Sequence, residues 1–511
     1  MPFVAFAKGS INSRVQLAER MAVTPYCERA PAFGCGKFLQ RLGAASVLAA
    51  SCALFAVPVQ AETLHQALAA AYKYNPQIDA ERARLRATDE SVSIANSGFR
   101  PNIGASADIT HDWQRTRPPQ GGDGGNTSKG YSVNVTQPIF QGFRVINAVN
   151  EAEATVRAGR EILRTTEQGI LLQAVTAFMD VIRDQAIVRL RENNVNVLSR
   201  ELQATRDRFA VGEVTRTDVA QAEARRAASI SALDTARSNL KISRATFERV
   251  VGHPPARLVE PSPFGRIPKS QNEAISIATR ESPEVVAALY REQAARYVVD
   301  RIWGELLPTV SVDAGYSQRF DPSQSIDERE GASVSGRVSI PIYEGGAVHA
   351  RVRQAKHAHL AQLQEIERAR TEAREGVASA WALLTASRAQ LESDQAAVSA
   401  ARTALTGVRE EQKVGQRTIL DVLNAEQEYL ASQVQLETTR RNLVVNSYLV
   451  LQSVGRLSSE YLSLTKLVYD PEVHYSEVRR KWWGISITHS DGRREDHDLW
   501  DKHGSKHKPL K

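Results

Sequence analysis

Cysteine is almost missing from this 511-residue sequence, and all three cysteines lie within its first 52 residues. We predict that the segment containing Cys27, Cys35 and Cys52 is removed from the mature chain. The mature chain would then have no disulfide, no thiol nucleophile and no metal site with cysteine ligands.

Aromatic residues and uncompensated charge are also scarce. Only 6% of residues are Phe, Trp or Tyr, fewer than a conventional core of this length usually holds, whereas closely packed alanine-rich helices need few. The net charge is +7, of which residues 1–61 contribute +4 through six Lys or Arg against two Asp or Glu. The remaining +3 is spread along the chain without a basic patch interleaved with aromatics, so we predict no nucleic-acid binding.

Patterns typical of catalysis are lacking as well. The sequence has no nucleophile–base arrangement, no glycine-rich phosphate loop and no carboxylate pair in a catalytic context, which predicts neither an enzyme nor a cofactor site. Five of the eleven histidines lie in the polar C-terminal segment 460–511: His474, His489, His497, His503 and His507. Their spacing matches no common ligand pattern, so we expect a solvated, mobile extension carrying a Trp482–Trp483 pair rather than a metal site.

The N-terminal segment has the order of a secretory signal. Lys37 and Arg41 precede an apolar run at 42–57, which is too short for a spanning helix. Val59 and Ala61 supply small residues at the cleavage positions, so we predict a signal peptide over 1–61, with Met21 as an alternative start. No later run reaches about 18 apolar residues, the length that a spanning helix needs.

The rest of the sequence contains two copies of one unit. Two segments match at an offset of 207: Asn75-Pro76 with Ser282-Pro283, and residues 100–103 with 307–310. Later segments match at an offset of 203: 138–142 with 341–345, and 211–215 with 414–418. We therefore predict two repeats, at 62–255 and 269–459, joined by a linker at 256–268.

Each unit combines a short helix, a pair of alternating segments and a long stretch without proline. The alternation predicts β-hairpins at 101–139 and 308–342, with polar loops at 114–130 and 321–331. Strands of this length can cross a bilayer when tilted, but four strands cannot close a barrel, and three copies would supply twelve. Two soluble hairpins with one wet face are the alternative.

The proline-free stretches predict long helices over 143–251 and 346–455. At about 1.5 Å per residue, the first arm alone would be on the order of 100 Å long. Gly212 and Gly415 fall where these helices would turn back. Thr215 and Thr418 suit the first position of the returning helices, with Asp218 and Asp421 three residues later.

The most specific segment is 414–427, VGQRTILDVLNAEQ, which is echoed by VGEVTRTDVAQAE at 211–223. Residues 62–459 resemble the TolC family of outer-membrane channels, in which this segment is the tight turn at the periplasmic tip. Four residues of the two Pro-Ile-Phe/Tyr-x-Gly segments resemble the family's strand-to-helix crossings: Pro138, Gly142, Pro341 and Gly345.

The resemblance implies a mixed α and β fold, in which a coiled-coil helical barrel continues a twelve-stranded transmembrane β-barrel built by a homotrimer. It implies an exit duct in the outer membrane of a Gram-negative bacterium, extending into the periplasm and exporting drugs, toxic compounds or proteins. The implied partners are outer-membrane lipid, a periplasmic adaptor and an inner-membrane ABC or proton-driven pump.

The resemblance also implies a gate at the tip. Asp421 matches an aspartate that faces the tunnel axis, and Asn424 occupies the second such position. Arg417 matches a tethering arginine with Asp218 as its acidic partner, and Gln412 stands where the family has a tethering tyrosine. The plainer interpretation is that Asp218 and Asp421 are only helix-capping charges, and a periplasmic or surface coiled-coil protein without channel activity is the alternative function.

Overall fold

The computed structural model describes residues 61–115, 124–323, 325–465, 468–489 and 493–495. The predicted signal peptide therefore lies outside the described residues except for Ala61, and so do residues 116–123 of the first predicted loop. Within the described part of the chain, no helix is both long and apolar enough to cross a membrane.

The two halves of the described chain contain the same elements in the same order. The first half comprises α1 (Leu64–Tyr74), α2 (Pro76–Ser97), β1 (Asn102–Gln114), β2 (Gly124–Gln141), α3 (Arg144–Ala210) and α4 (Arg216–Val251). The second half comprises α5 (Gln271–Glu281), α6 (Pro283–Trp303), a 3-10 turn (Gly304–Leu306), β3 (Thr309–Ser323), β4 (Ile326–Ser339), α7 (Ala347–Lys413) and α8 (Ile419–Ser453). Both α3 and α7 have 67 residues.

The four long strands form one antiparallel sheet in the order β1-β2-β3-β4. Asn102 pairs with Thr136 in the first hairpin, and Thr309 pairs with Ser339 in the second. The strands reach further than predicted, because residues 124–130, 321–323 and 326–331 belong to strands and not to loops. Ladder pairing in the sheet outweighs the low strand propensity of the Gly, Asp and Pro residues in these stretches.

The long helices turn back on themselves as predicted by the proline-free stretches. Each long arm pairs with a shorter return arm, α3 with α4 and α7 with α8. Thr215 and Thr418 are the N-caps of the return arms. The side-chain oxygen of each threonine accepts a hydrogen bond from a backbone amide that would otherwise lack a partner.

The main apolar core lies partway along the long helices, where α1 packs against α3, α4 and α8. Phe178, Phe247 and Leu451 are fully buried there, together with Leu68 of α1. Burying a large apolar side chain contributes about 1.5–3 kcal/mol. A second core joins α5 to α7 and α8 through side chains that include Val377 and Leu384.

The two long arms differ in how much surface they bury. α3 packs against α2, α4, α6 and α8, and it buries side chains along most of its length. α7 buries far fewer, and it leaves Leu360, Leu363 and Leu383 38–54% exposed. An apolar face on α7 therefore has no cover within the described part of a single chain.

Up to His489, the described part of the C-terminal segment packs against the helices and is not the solvated, mobile extension that the sequence suggests. A last helix, α9 (Pro471–Val478), packs against α2 and α3. Its His474 Nδ1 lies 3.0 Å from Oδ2 of the buried Asp89, and the Arg479 guanidinium donates to Glu153 at 2.8 Å. These partners lie more than 300 residues away in sequence, so no local pattern could indicate them. His497, His503 and His507 lie outside the described residues.

Candidate functional site

Each pair of long helices ends in a five-residue turn, at 211–215 and 414–418. Gly212 has φ of 81° and Gly415 has φ of 80°, a left-handed conformation that favours glycine. The Gly415 N–H donates to the Gln412 carbonyl at 3.0 Å, and the Gln416 N–H donates to Glu411 at 2.9 Å. This pair of bonds satisfies the last carbonyls of α7. Residues 208–213 repeat the arrangement at the end of α3.

The aspartates that follow these turns close the N-termini of the return helices. Oδ2 of Asp421 accepts from the Thr418 N–H at 3.0 Å and from the Thr418 hydroxyl at 2.8 Å. Asp218 makes the same bonds to Thr215 at 2.9 and 2.8 Å. Both aspartates are therefore capping residues, as the plainer interpretation of the sequence states. Capping occupies one carboxylate oxygen of each.

Hydrogen bonds at the second tip keep Asp421 ionised. The Thr418 amide and hydroxyl, with a smaller contribution from Arg417, lower the pKa of Asp421 below its usual range. The Arg417 Nε donates to Glu411 Oε2 at 2.8 Å, and this bond raises the pKa of Arg417. At neutral pH the turn therefore carries a fixed carboxylate next to a fixed guanidinium.

The predicted tether residues do not contact each other in the structure of one chain. Arg417 pairs with Glu411, while the carboxylate of Asp218 bonds to Thr215. Gln412 contributes its backbone carbonyl to the turn. A pairing of Arg417 with Asp218 stays a prediction, and it requires Arg417 to exchange Glu411 for Asp218 when helices of several chains meet.

The N-terminus of α8 is held against the first pair of helices by contacts that the sequence did not indicate. Leu198 of α3 is buried against Ile419 and Leu423. Arg225 of α4 donates to Asn424 Oδ1 at 2.8 Å and to Gln427 Oε1 at 2.5 Å. Asn424, which the resemblance assigns to the gate, is therefore a hydrogen-bond partner of α4.

Ion pairs also bind each return arm to its long arm close to the tip. Arg206 of α3 lies 2.6 Å from Glu223 of α4. Arg409 of α7 pairs in the same way with Glu426 of α8. Arg409 and Glu426 lie 203 residues after Arg206 and Glu223, so equivalent ion pairs join the two arms in both halves.

The strand-to-helix crossings lie at the opposite end of the long helices. Gly142 has φ of 62°, and a Cβ there would lie 2.3 Å from the Gly304 carbonyl oxygen. Gly345 has φ of 63°, but a Cβ there would meet nothing within 4 Å. Pro138 lies at a register shift between β2 and β3, while Pro341 follows the end of β4.

Three residues at these sites were missed by sequence reasoning: Arg225, Leu198 and Gly304. Each acts through a partner from 162 to 225 positions distant in sequence. Only the tertiary fold brings such residues together. Among the described residues, no group of three or more His, Cys, Asp or Glu could hold a metal ion.

Comparison with known proteins indicates the same family for both halves of the chain. The sequence model for the family described as outer membrane efflux protein matches residues 67–253 and 274–456. The outer membrane efflux protein BepC of Brucella suis is 40% identical over 460 residues, which cover 89% of this chain and 99% of BepC. The outer membrane protein TolC of Escherichia coli is 26% identical over 422 residues, covering 79% of this chain and 84% of TolC.

A solved structure supports the fold independently. The CmeC outer membrane channel of Campylobacter jejuni superposes with a TM-score of 0.69 at 14% identity, covering 82% of this chain and 89% of CmeC. The family match extends over both halves, and BepC aligns over nearly its full length. This chain therefore belongs to the outer membrane efflux protein family, as an outer-membrane channel that extends into the periplasm of a Gram-negative bacterium.

Proposed function

We propose that three copies of this chain assemble into one exit duct for drugs, toxic compounds or proteins. Four strands from each copy would build a twelve-stranded barrel in the outer membrane, and the long helices would build a tunnel through the periplasm. A periplasmic adaptor would join the tunnel to an inner-membrane ABC or proton-driven pump, which supplies the energy. The observation that carries this proposal is the pair of open edges, β1 and β4, on the four-stranded sheet.

Open edges cannot persist in hydrocarbon, because each unpaired backbone group costs several kcal/mol there. The exposed apolar residues of α7 point to the same partner, since a second copy would cover them as α6 and α8 cover α3. Both the strands and the helices of one chain are therefore incomplete without neighbours. Because the chain is duplicated, each of the three subunits would contribute two equivalent units to the barrel and to the tunnel.

The duplication predicts the register of the joint between subunits. Shifting the β1–β2 pair Asn102–Thr136 by the two repeat offsets reproduces the β3–β4 pair Thr309–Ser339. Applied to the in-chain β2–β3 pair Val135–Ala314, the same shift places Val338 opposite Ala107 of the partner subunit. This register puts apolar side chains of both strands on one face of the sheet.

Cysteine pairs test this joint. A mature chain carrying Val338→Cys and Ala107→Cys should form covalently closed trimers on mild oxidation in membranes. The matched control carries Val135→Cys and Ala314→Cys, the equivalent pair within one chain, which should oxidise without linking subunits. If the control oxidises while the 338–107 pair links no subunits, the proposed closure is wrong.

The tip turns would form the periplasmic gate of this duct. Three copies of Asp421 at a narrow opening would make a ring of negative charge that attracts cations. Arg417 would hold the tip shut through Asp218, and three exposed pairs of this kind would act together on the closed state. Asn424 would add a ring of amides beside the carboxylates. What supports the proposal is the ionised state of Asp421 and the position of both residues in one turn.

Planar-bilayer conductance tests the two roles separately. Asp421→Asn should weaken cation selectivity and block by multivalent cations, because it removes the negative charge. The amide oxygen can still accept the capping hydrogen bonds, so the start of α8 should be unchanged. Asp218→Asn changes the equivalent cap and leaves the Asp421 ring in place, so it should keep cation selectivity but raise conductance as the proposed partner of Arg417. Arg417→Ser should raise conductance, whereas Glu411→Gln should not if the tether runs through Asp218. An Arg417→Ser channel that conducts like the unmodified protein would exclude the tether.

A further inference from the structure

Two adjacent tryptophans stand in solvent near the end of the described C-terminal segment. Trp482 is 69% exposed and Trp483 is 95% exposed, and Ile485 beside them is 51% exposed. Indole rings are costly to leave in water, and isolated exposure of two consecutive tryptophans has no structural benefit for this chain alone. A partner outside the described part of the chain is therefore indicated.

Hydrogen bonds fix the position of this pair at the end of α2. The Lys481 carbonyl accepts from the Arg100 guanidinium at 2.8 Å and from the Ser93 hydroxyl at 3.3 Å. The Arg100 guanidinium also lies 4.8 Å from the centre of the Trp482 ring. Since β1 begins at Asn102, the tryptophans lie where the helical part of the chain meets the sheet.

The segment is rigidly built at this point. The Lys481 ammonium donates to the Ser486 carbonyl at 2.6 Å, and Gly484 between them has φ of 99°. This tight turn directs its tip residues away from the helices. A turn closed by its own hydrogen bonds loses little conformational entropy when its exposed residues become covered.

Other exposed rings occur at the same level of the molecule. Phe99, Phe143, Trp303 and Tyr343 are each at least 50% exposed, and all four lie within six residues of a strand end. Aromatic rings concentrate at the boundary between hydrocarbon and water in membrane proteins, because their apolar bodies and polar edges suit that layer. The Trp482–Trp483 pair extends such a belt onto the C-terminal segment.

Positive charge accompanies the pair. Arg479 and Arg480 precede it and are both exposed, although Arg479 also pairs with Glu153. Cationic side chains next to interfacial aromatics suit the phosphates of a lipid surface. A second copy of this chain or an adaptor protein would explain the exposed rings, but neither explains why rings and basic residues occur together at the foot of the sheet.

We propose that residues 479–487 form a membrane anchor, in which Trp482 and Trp483 enter the headgroup layer of the periplasmic leaflet and Arg480 contacts phospholipid phosphate. The anchor rests on the proposed function, because it places the foot of the sheet at the periplasmic surface of the outer membrane. It would bind the C-terminal segment, α2 and the bilayer into one unit. The occupant is phospholipid and not a protein.

Tryptophan quenching by brominated lipids tests the anchor. The mature protein is reconstituted, without other proteins, into vesicles of phosphatidylethanolamine and phosphatidylglycerol whose acyl chains carry bromine near the headgroup. The contribution of the pair is the difference in fluorescence between the unmodified protein and the variant Trp482→Phe with Trp483→Phe. We expect this difference signal to fall at least twofold in brominated vesicles and to resist aqueous acrylamide.

Two further variants separate this inference from the proposed function. Trp113 lies in β1, so the signal lost in Trp113→Phe should be quenched by bromine if the sheet spans the membrane. Trp381 lies 34 residues into α7, about 50 Å along the helix, and its signal should be unaffected. If bromine quenches Trp113 but not the Trp482–Trp483 pair, the anchor alone is overturned. If the pair is protected from both bromine and acrylamide, the pair contacts protein, and the anchor is overturned as well. Absence of quenching at Trp113 overturns the membrane-spanning sheet.

Discussion

Glu167 shows how a single residue can link the stability of this channel to pH. It lies within the helical layer on α3, where burial raises the pKa of its carboxyl to about 7, against the opposing influence of Arg82 and Arg164. The charge of Glu460 adds to the increase. The fold therefore favours the protonated form of Glu167, whereas the unfolded chain ionises near the usual value.

We predict that protonated Glu167 gives the folded state its full stability below about pH 4.5. The free energy of unfolding should then fall as the pH rises towards 7. Ionising a buried carboxyl with this shift costs at most about 3 kcal/mol. Glu167→Gln should remove the cost, so the variant should exceed the unmodified protein in thermal stability at pH 8 and match it at pH 4.5. Thermal unfolding in detergent between these pH values provides the measurement. An unchanged pH dependence in Glu167→Gln would contradict the assignment.

The two halves use different residues for the left-handed backbone conformation directly before each long helix, and Phe143 occupies this position in the first half. Its φ is 60°, a conformation that costs a bulky residue of this kind on the order of 1 kcal/mol or more, and its counterpart 203 residues later is Gly346, with φ of 80°. The ring of Phe143 packs edge-on against Phe140 at 5.1 Å between centroids. Ring contact in the first half thus accompanies a backbone shape that glycine provides in the second.

At the scale of whole elements, the attachment of α8 to the first helical pair would limit opening of the proposed gate. Arg225 and Leu198 supply that attachment from α4 and α3. Because Arg225 bonds to two side chains of α8, its loss releases both.

We predict that Arg225→Ala increases hydrogen exchange in the first turns of α8 and raises channel conductance. The matched control is Arg226→Ala, because Arg226 bonds to Ser199 within the first helical pair at 3.0 Å and does not hold α8. Exchange rates of residues 419–427, followed by mass spectrometry, report the effect. Equal exchange in both variants would show that Arg225 does not restrain the tip.

The strand pairs make a second prediction at this scale. The end of β1, the start of β2, the end of β3 and the start of β4 lie remote from the long helices, so we predict that these strand ends face the cell exterior. Asn126→Cys and Ser325→Cys should react with membrane-impermeant reagents on intact cells. Thr418→Cys, at the periplasmic tip, is the control and should react only after the outer membrane is disrupted. The reverse labelling pattern would invert the topology.

Most elements could be predicted from the sequence because their signals are local. Absence of proline, alternation of apolar residues, and glycine and threonine at the turns all act within a few residues. Strand ends were less predictable, since pairing extends β2 through the glycine-rich residues 124–130. The contacts of Arg225 and the docking of α9 were not predictable at all, because they depend on residues far apart in sequence.

At the scale of the whole molecule, we predict that the N-terminal segment is removed during export to the outer membrane. We predict cleavage after Ala61, three residues before α1 begins at Leu64. The Thr63 amide donates to Gln66 at 2.9 Å and the Glu62 amide donates to the Arg257 carbonyl at 2.8 Å, so the residues directly after that point are hydrogen-bonded into the fold. Mass spectrometry of the protein from outer membranes should give a mature N-terminus at Glu62, and a mature chain that retains residues 43–57 would refute this.

The equal length of α3 and α7, 67 residues each, constrains how this protein can evolve. Both helices run from a crossing near the sheet to a turn at the far end, so in the proposed trimer they would reach the same height around the tunnel. Removing seven residues from one of these helices alone would shorten it by about 10 Å and leave the periplasmic end of the tunnel uneven. A change in reach across the periplasm therefore requires matched insertions or deletions in both halves, in α3 and at the positions 203 residues later, with corresponding changes in the return arms.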